Sequence, residues 1–281
     1  LAVAFNPGAA NNSAVTGYEI EIGGGRNEVL ARGTATSYVW DGLANGTNYQ
    51  FRIVAVNTAG RSDPSPWADP EHPLREPGAA GTPDVQRGNR YLDLGWAASP
   101  NNGDPVIEYQ VRMQSNPNVW VPVGNTTTYR WSDLPNGVTQ QFQVRSRNRD
   151  LDWSAPSGVS AAVKPCAVPD APAAPSATGG DLRATVNYTL PGDQGCAITQ
   201  TQIEASGGGT QTAAGSPHVF TGLANGTAYT FRARSQNEEG WGAWSAPSNP
   251  VTPAGLPQGP GSITSSNTAV GEVTLGWPDA F

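Results

Sequence analysis

Two cysteines, Cys166 and Cys196, are the side chains of this sequence best suited to chemistry. Two thiols could belong to a metal site or close a disulfide. A zinc site would want further ligands, and the two histidines, His72 and His218, lie far away in other segments. A disulfide is therefore expected, which implies an oxidising, exported setting; the alternative is a pair of buried free thiols. Catalysis finds no footing. A serine or cysteine hydrolase needs a histidine beside its nucleophile, and His72 falls in a linker-like stretch and His218 in a loop. A glycosidase needs two carboxylates facing across a cleft, and nothing in the sequence pattern builds one. The chain is expected not to be an enzyme.

Other groupings have plainer readings. Asp63, Asp69 and Glu71 form one acidic cluster, and Asp150 with Asp152 another. Neither has the dense Asp/Gly spacing of a calcium loop, so solvated turns are expected and no cofactor or metal is assigned. Gly23-Gly-Gly25 and Gly207-Gly-Gly209 open no helix, so they read as hairpin turns rather than phosphate loops. Asn45-Gly-Thr47 fits a glycan acceptor, but turn chemistry explains it better. No Arg-Gly-Asp string occurs; Arg87-Gly-Asn89 is the nearest.

The elements that must position these residues follow from composition and period. The chain has 281 residues, 34 Gly and 25 Pro, which suits short strands and turns. No apolar run approaches a membrane span. The net charge is -7 with basic residues dispersed, which argues against nucleic acid and anionic membranes. Arginine outnumbers lysine to the point that Lys164 stands alone, a bias that fits a GC-rich coding sequence and a bacterial source. No signal peptide is seen and the first residue is Leu1, so the chain reads as processed or excised from something longer.

Internal repetition is the strongest signal. Trp40-Asp-Gly-Leu-Ala-Asn-Gly-Thr-Asn-Tyr-Gln-Phe-Arg52 matches Phe220-Thr-Gly-Leu-Ala-Asn-Gly-Thr-Ala-Tyr-Thr-Phe-Arg232, with a weaker copy from Trp131 to Gln143. A second motif ends in an aromatic at Phe5, Trp96, Tyr188 and Trp277, at intervals of 91, 92 and 89 residues by subtraction. Apolar residues alternate, as at Tyr18, Ile20 and Ile22 or at Tyr49, Phe51, Ile53 and Ala55. A period of two means half-buried antiparallel strands. About seven such strands in roughly 90 residues describe a β-sandwich.

The run from Leu43 to Gly60, with Tyr49, Phe51, Ala55 and Asn57, resembles the corner and sixth strand of a fibronectin type III module. The resemblance extends over essentially the whole chain. It implies an all-β fold of tandem seven-stranded fibronectin type III sandwiches, expected to form an extended rod through Pro-rich linkers at Asp63–Pro77 and Lys164–Pro175. It also implies a tyrosine corner at Tyr49 and Tyr229, in which the hydroxyl bonds back to the turn. Gln140 takes that place in the second copy, so the lock should be lost there. The expected segments are 1–76 (a module lacking its first strand), 77–165, 166–253 and 254–281 (the first two strands of a further module). Val273, Leu275 and Trp277 would need a covering sheet. Either a longer array or head-to-tail pairing of copies would supply it.

In this fold the lead-in to a module and its second loop share a pole, which makes a Cys166–Cys196 bridge geometrically sensible. Trp241-Gly-Ala-Trp244-Ser245 resembles the Trp-Ser-x-Trp-Ser box of class I cytokine receptors. There, indoles interleave with arginines of the neighbouring strand. Arg232 and Arg234 have the required alternation, and Arg145 with Trp153 repeats half of it. A structural ladder is expected rather than a ligand face. Trp40, Trp131 and Phe220 recur in register and are expected in the core, whereas Trp67 and Trp120 do not recur and are candidates for a contact surface.

The expected function is a non-catalytic, secreted or cell-surface scaffold or adhesion protein. Its expected partner is a protein or a cell-surface glycan, besides neighbouring modules. Contacts would come from loops at module poles such as Arg147–Asp152 and Asn237–Trp241. The alternatives are a spacer array in a larger secreted enzyme acting on polysaccharide, or a subunit of a filament or virion appendage.

Overall fold

The computed structural model describes residues 1–149, 152–259 and 261–276. No helix occurs among the described residues, which fold as antiparallel strands and turns. The expectation of an all-β fold of successive sandwiches holds.

The first sandwich packs β1 (Ala2–Ala4) and β4 (Ser37–Val39) against the sheet β3-β2-β5-β6, whose strands are Glu28–Ala31, Val15–Gly24, Tyr49–Asn57 and Gly60–Arg61. Alternation explains the packing, since Ile20, Ile22, Tyr49 and Phe51 turn inward onto Trp40, with Leu1, Val3 and Leu43 closing the cluster. The second sandwich opposes β7 (Asp84–Gly88), β8 (Tyr91–Gly95) and β11 (Thr128–Trp131) to β9 (Glu108–Met113), β10 (Val121–Gly124) and β12 (Phe142–Arg147). Leu92, Val111, Phe142 and Val144 are fully buried there.

The third sandwich opposes β13 (Ser176–Gly180), β14 (Arg183–Asn187) and β17 (His218–Thr221) to a second sheet. That sheet is β15 (Gln200–Ala205), β16 (Gly209–Ala213), β18 (Phe231–Asn237) and β19 (Gly240–Trp241). Ala184, Val186, Ile203, Phe220 and Phe231 fill its core. One ring pair repeats in all three sandwiches. Trp40 meets Phe51 at 5.7 Å between centroids, Trp131 meets Phe142 at 5.4 Å, and Phe220 meets Phe231 at 5.4 Å. Such pairs add about 0.5–1.5 kcal/mol beyond area burial. His218 stands at the start of β17 rather than in a loop.

The last described pair is the hairpin β20 (Thr264–Ala269) and β21 (Glu272–Gly276). Val273 and Leu275 are exposed on it, and Trp277 lies outside the described residues. The chain divides into two compact units. The first joins Leu1–Arg87, Tyr91–Asp133 and Thr139–Val163; the second is built on Lys164 onward together with Gly88–Arg90 and Leu134–Val138.

One stretch expected as a linker, Asp63–Pro77, is tied down over most of its length. After β6, Ser62, Ser65, Ala68 and Glu71 donate their N–H groups in turn to the carbonyls of Ala55, Ile53, Phe51 and Tyr49. Residues 62–71 are thus the edge of the first sandwich. The same three-residue step recurs at Ser154, Ser157 and Ser160 along β12, and at Gly242, Ser245, Ser248 and Val251 along β18. A three-residue period is that of a polyproline II segment, in which intervening prolines are tolerated. Each serine completes the pair with its Oγ. Ser62 and Ser65 Oγ accept from Ala55 and Ile53 N–H, and Ser154, Ser157 and Ser160 Oγ accept from Ser146, Val144 and Phe142 N–H. Ser245 and Ser248 serve Ala233 and Phe231 alike. In the second and third sandwiches, where these bonds are buried, leaving one such N–H unpaired would cost about 1–3 kcal/mol. The Gly23-Gly-Gly25 run is likewise no turn in its first two residues, since Gly23 and Gly24 pair in β2 with Gln50 and Tyr49.

Candidate functional site

The outer faces of the sheets that contain β5, β12 and β18 carry the densest chemistry. Alternation turns the polar residues of these strands to solvent, and antiparallel register sets them opposite polar residues of β2, β9 and β15. In the third sandwich Arg232 stands opposite Glu204, and Arg234 opposite Gln202. Arg232 pairs with Glu204, while Arg234 donates Nε and Nη2 to Gln202 Oε1. The guanidinium of Arg234 lies 4.6 Å from the Trp241 ring centre and 4.4 Å from that of Trp244, and Arg232 lies 4.9 Å from Trp244. The four side chains expected to form a ladder are therefore interleaved.

The second sandwich carries a longer stack than expected. Arg145 lies 4.4 Å from the Trp153 ring and 4.3 Å from the Trp120 ring. Arg147 lies over Trp153 at 4.9 Å, and Arg112 over Trp120 at 4.5 Å. Trp120 is thus a half-buried rung, not a free contact residue. Its place just before β10, a strand away from the arginines it meets, left no local signal. Arg145 also donates Nε and Nη2 to Gln110 Oε1. Burial, and next the charge of Arg112, push its guanidinium below the ordinary arginine range. In the first sandwich one rung exists, Arg52 at 4.6 Å from Trp67, whose other surroundings leave it 41% exposed. Trp67 reaches Gly23, where a Cβ would meet its ring at 3.1 Å.

The poles are held by a second set of groups. Cys166 and Cys196, each 1% exposed, are joined by a disulfide with a Cα–Cα distance of 5.7 Å. Beside it, fully buried Asn237 donates Nδ2 to the carbonyls of Ala167, Asp193 and Cys196 at 2.7, 3.1 and 3.2 Å. Asn148 at the end of β12 does the same to Arg75 and Asn101, at 2.7 and 3.4 Å. Where the third sandwich has Gly195-Cys196, the second has Gly103-Asp104. Asp104 is buried, accepts from the backbone and guanidinium of Arg149, and lies 3.8 Å from His72 Nε2. Arg149, through its hydrogen bond, holds the Asp104 carboxyl below the usual carboxylate range. This cluster was not expected; Asp104 follows Asn-Asn-Gly and reads as a turn residue.

The corner turns complete the poles. Tyr49 and Tyr229 hydroxyls accept from the N–H of Ala44 and Ala224, each at 3.1 Å. In the second copy Gln140 instead accepts from Ser115 Oγ. The Asn45-Gly46 turn lies so close to Gly103 that a Cβ on Gly46 would come within 2.9 Å of its Cα. Asn136-Gly137 approaches Gly195 in the same manner, with a Cβ on Gly137 at 3.2 Å. Close backbone approach, rather than flexibility, is what these glycines serve.

Among the described residues Asp63, Asp69 and Glu71 do not converge on a common point. The grouping with metal-ligand reach is Cys166, Cys196 and Glu238, whose sulfurs are spent in the disulfide. Asp150 lies outside the described residues, and Asp152 is exposed. No helix among the described residues is long and apolar enough to cross a membrane.

Comparison with known proteins gives a consistent result. The family model described as Fibronectin type III domain matches residues 1–71 and 170–251. The chain is 27% identical to rat neuronal cell adhesion molecule over 97% of its own length and 25% of the relative's. It is 29% identical to endoglucanase B of Cellulomonas fimi over 87% of its length and 25% of the relative's. The chain thus spans about a quarter of the length of these curated relatives. Among solved structures it aligns with the FN1-FN3 domains of chicken CNTN1 at 19% identity and a TM-score of 0.33, covering 90% of this chain and 93% of that one.

Proposed function

Because the chain belongs to the fibronectin type III domain family, we propose that it is a non-catalytic extracellular scaffold that mediates adhesive contacts with proteins or cell-surface glycans. The observation that carries this reading is where its chemistry sits. The arginine and tryptophan side chains lie on open sheet faces in mutual contact, so they present a surface rather than a cleft. The two cysteines are spent in a buried disulfide, a bond that persists outside the cytosol. Likeness to neuronal cell adhesion molecule supports the adhesive role.

The likeness to an endoglucanase favours a second reading, a spacer array within a larger secreted enzyme acting on polysaccharide. Immobilised chain tested for retention of cells under flow, beside an assay for release of sugar from soluble cellulose, separates them. Retention without sugar release supports the scaffold. Lack of retention defeats it, and a glycoside hydrolase domain in the parent polypeptide decides for the spacer.

A further inference from the structure

The geometry points to a binding site for a small aromatic molecule, a single ring such as a phenol, in the third sandwich at a cavity beside Thr201. This goes beyond the adhesive reading and does not depend on it. The reason is a repeated ring that one sandwich lacks. Phe5, Trp96 and Tyr188 end the recurring strand motif. Thirteen residues after each, by subtraction, stand Tyr18, Tyr109 and Thr201. Strand register gives the same correspondence, with Tyr18 opposite Ala55, Tyr109 opposite Ser146 and Thr201 opposite Ser235. In the first two sandwiches the paired rings meet, Phe5 with Tyr18 at 4.8 Å between centroids and Trp96 with Tyr109 at 5.8 Å. In the third the second ring is replaced by a threonine, and among the described residues Tyr188 has no ring partner.

A cavity of about 270 Å³ lies at this place, lined by Tyr188, Leu190, Ile198, Thr201, Ala213 and Ser216 among others. An apolar cavity of about 150 Å³ is enough to take benzene, so one ring fits here with room for a substituent. Hydroxyl groups in the wall already have partners. Thr201 Oγ1 pairs with Ser235 Oγ at 3.0 Å and bonds to Tyr188, and Ser216 Oγ accepts from the Tyr188 N–H at 2.9 Å. Recognition therefore falls to the Tyr188 ring and the aliphatic walls. Tyr188 is 9% exposed, so its ring is held in place before a ligand arrives. A second ring beside it gains the aromatic pair geometry that a saturated ring of like size cannot. Apart from Leu190 the exposed rim is Ala214, Gly215 and Ser216. Such a rim gives a polypeptide little apolar surface to cover, so the occupant is a free small molecule rather than a side chain of a protein.

The test titrates p-cresol into the isotopically labelled whole chain and follows it by NMR. The saturated analogue 4-methylcyclohexanol controls for aromaticity, and N-acetyl-tyrosinamide stands in for a protein tyrosine. Saturable shifts are expected at Ile198, Thr201 and Ala213 and not at Ile20, Leu92 or Val111, with half-saturation on the order of 1 mM. p-Cresol should also raise the calorimetric transition of the third sandwich and leave the other transitions in place. The saturated analogue should bind roughly fivefold more weakly. Two variants locate the site. T201Y restores the ring that the first two sandwiches carry, and Tyr109 opposite Ser146 shows that the fold accommodates it. It should weaken binding roughly tenfold or more while keeping or raising the transition. A214W fills the mouth from an exposed position and decides the matter should T201Y fail to fold. Binding unchanged in the folded variants overturns the proposal. Equal binding of the saturated analogue, tighter binding of N-acetyl-tyrosinamide, or shifts that do not saturate would do the same.

Discussion

The loop after β8 and the loop after β14 solve one problem with different chemistry. Each must hold the lead-in segment of its sandwich against the end of the long strand, and each uses a buried asparagine for the backbone part, Asn148 or Asn237. The next position differs. Asp104 makes an ionic latch with Arg149, with His72 beside it, whereas Cys196 makes a covalent one with Cys166. A disulfide acts mainly on the unfolded chain, whose loop it closes; an ion pair acts on the folded state and depends on protonation. The same scaffold position therefore serves a latch sensitive to reductant or one sensitive to acid, according to the residue it carries and the partner that faces it.

Removing the disulfide should have the largest effect. The closed loop spans a sequence separation of 30, worth about 3–4 kcal/mol in the chain-entropy model. Calorimetry of C166S/C196S should show the transition of the third sandwich lowered by roughly 10 °C or more, at about 4–8 °C per kcal/mol for a domain of this size. The first and second sandwiches should be unmoved by the substitution or by reductant. A shift of all transitions together would show that the two latches are not independent.

Asp104→Asn comes next, with an expected loss of about 1.5–3 kcal/mol from charge-assisted hydrogen bonds to a buried acceptor. The sign of the pH effect follows from the depressed carboxyl. A folded-state pKa below the unfolded value of about 3.9 gives stabilisation that is full above that value and lost as pH falls through the folded one. Urea melts from pH 7 down to 3 should show the second sandwich weakening below about pH 5 in the parent chain and less so in D104N. The third sandwich has its own acid term in His218, which burial pushes below the usual histidine value. Its contribution is present above about pH 6.5 and declines as pH falls from there, so H218Q should be the background for the comparison. Acid sensitivity of the second sandwich that survives D104N would break the ionic half of it. Asp93, which Arg130 holds low from the surface, would then be the first suspect.

How much of this was legible in the sequence depended on whether a feature had a period or a unique partner. Strands declared themselves through two-residue alternation, and three aromatic rungs of the core through recurrence. The disulfide was legible because two cysteines admit one intrachain pairing, and Trp241 with Trp244 because their arginines alternate one strand away. Asp104 was hidden, since a carboxylate after Asn-Asn-Gly looks like turn chemistry and its partner Arg149 is distant in sequence. Trp120 was hidden for the same reason. The serine edges had a signal, Ser-x-x-Ser with proline between, but its period of three fits neither a strand nor a helix. Asp63 to Pro77 therefore read as linker although Ser65 within it caps the N–H group of Ile53.

The smallest effect concerns the turns that press on the two loops. The turn facing Gly103 is locked by Tyr49, whose hydroxyl accepts from Ala44 N–H. The turn facing Gly195 belongs to the copy with Gln140 and has no such lock. The locked turn thus accompanies the ionic latch, and the unlocked turn the covalent one. Tyr49→Phe should cost about 0.5–1.5 kcal/mol, the net value of one hydrogen bond. The variant keeps the ring, so packing on Ile22 and Phe51 stays and the hydroxyl alone is read. Hydrogen exchange at Ala44 and Gly46 should quicken in Y49F, and the double variant Y49F/D104N should lose more than the sum of the two, because turn and latch hold the same loop. Strict additivity would mean that the lock steadies its own sandwich only, and the contrast between the two poles would then reduce to aspartate against cystine.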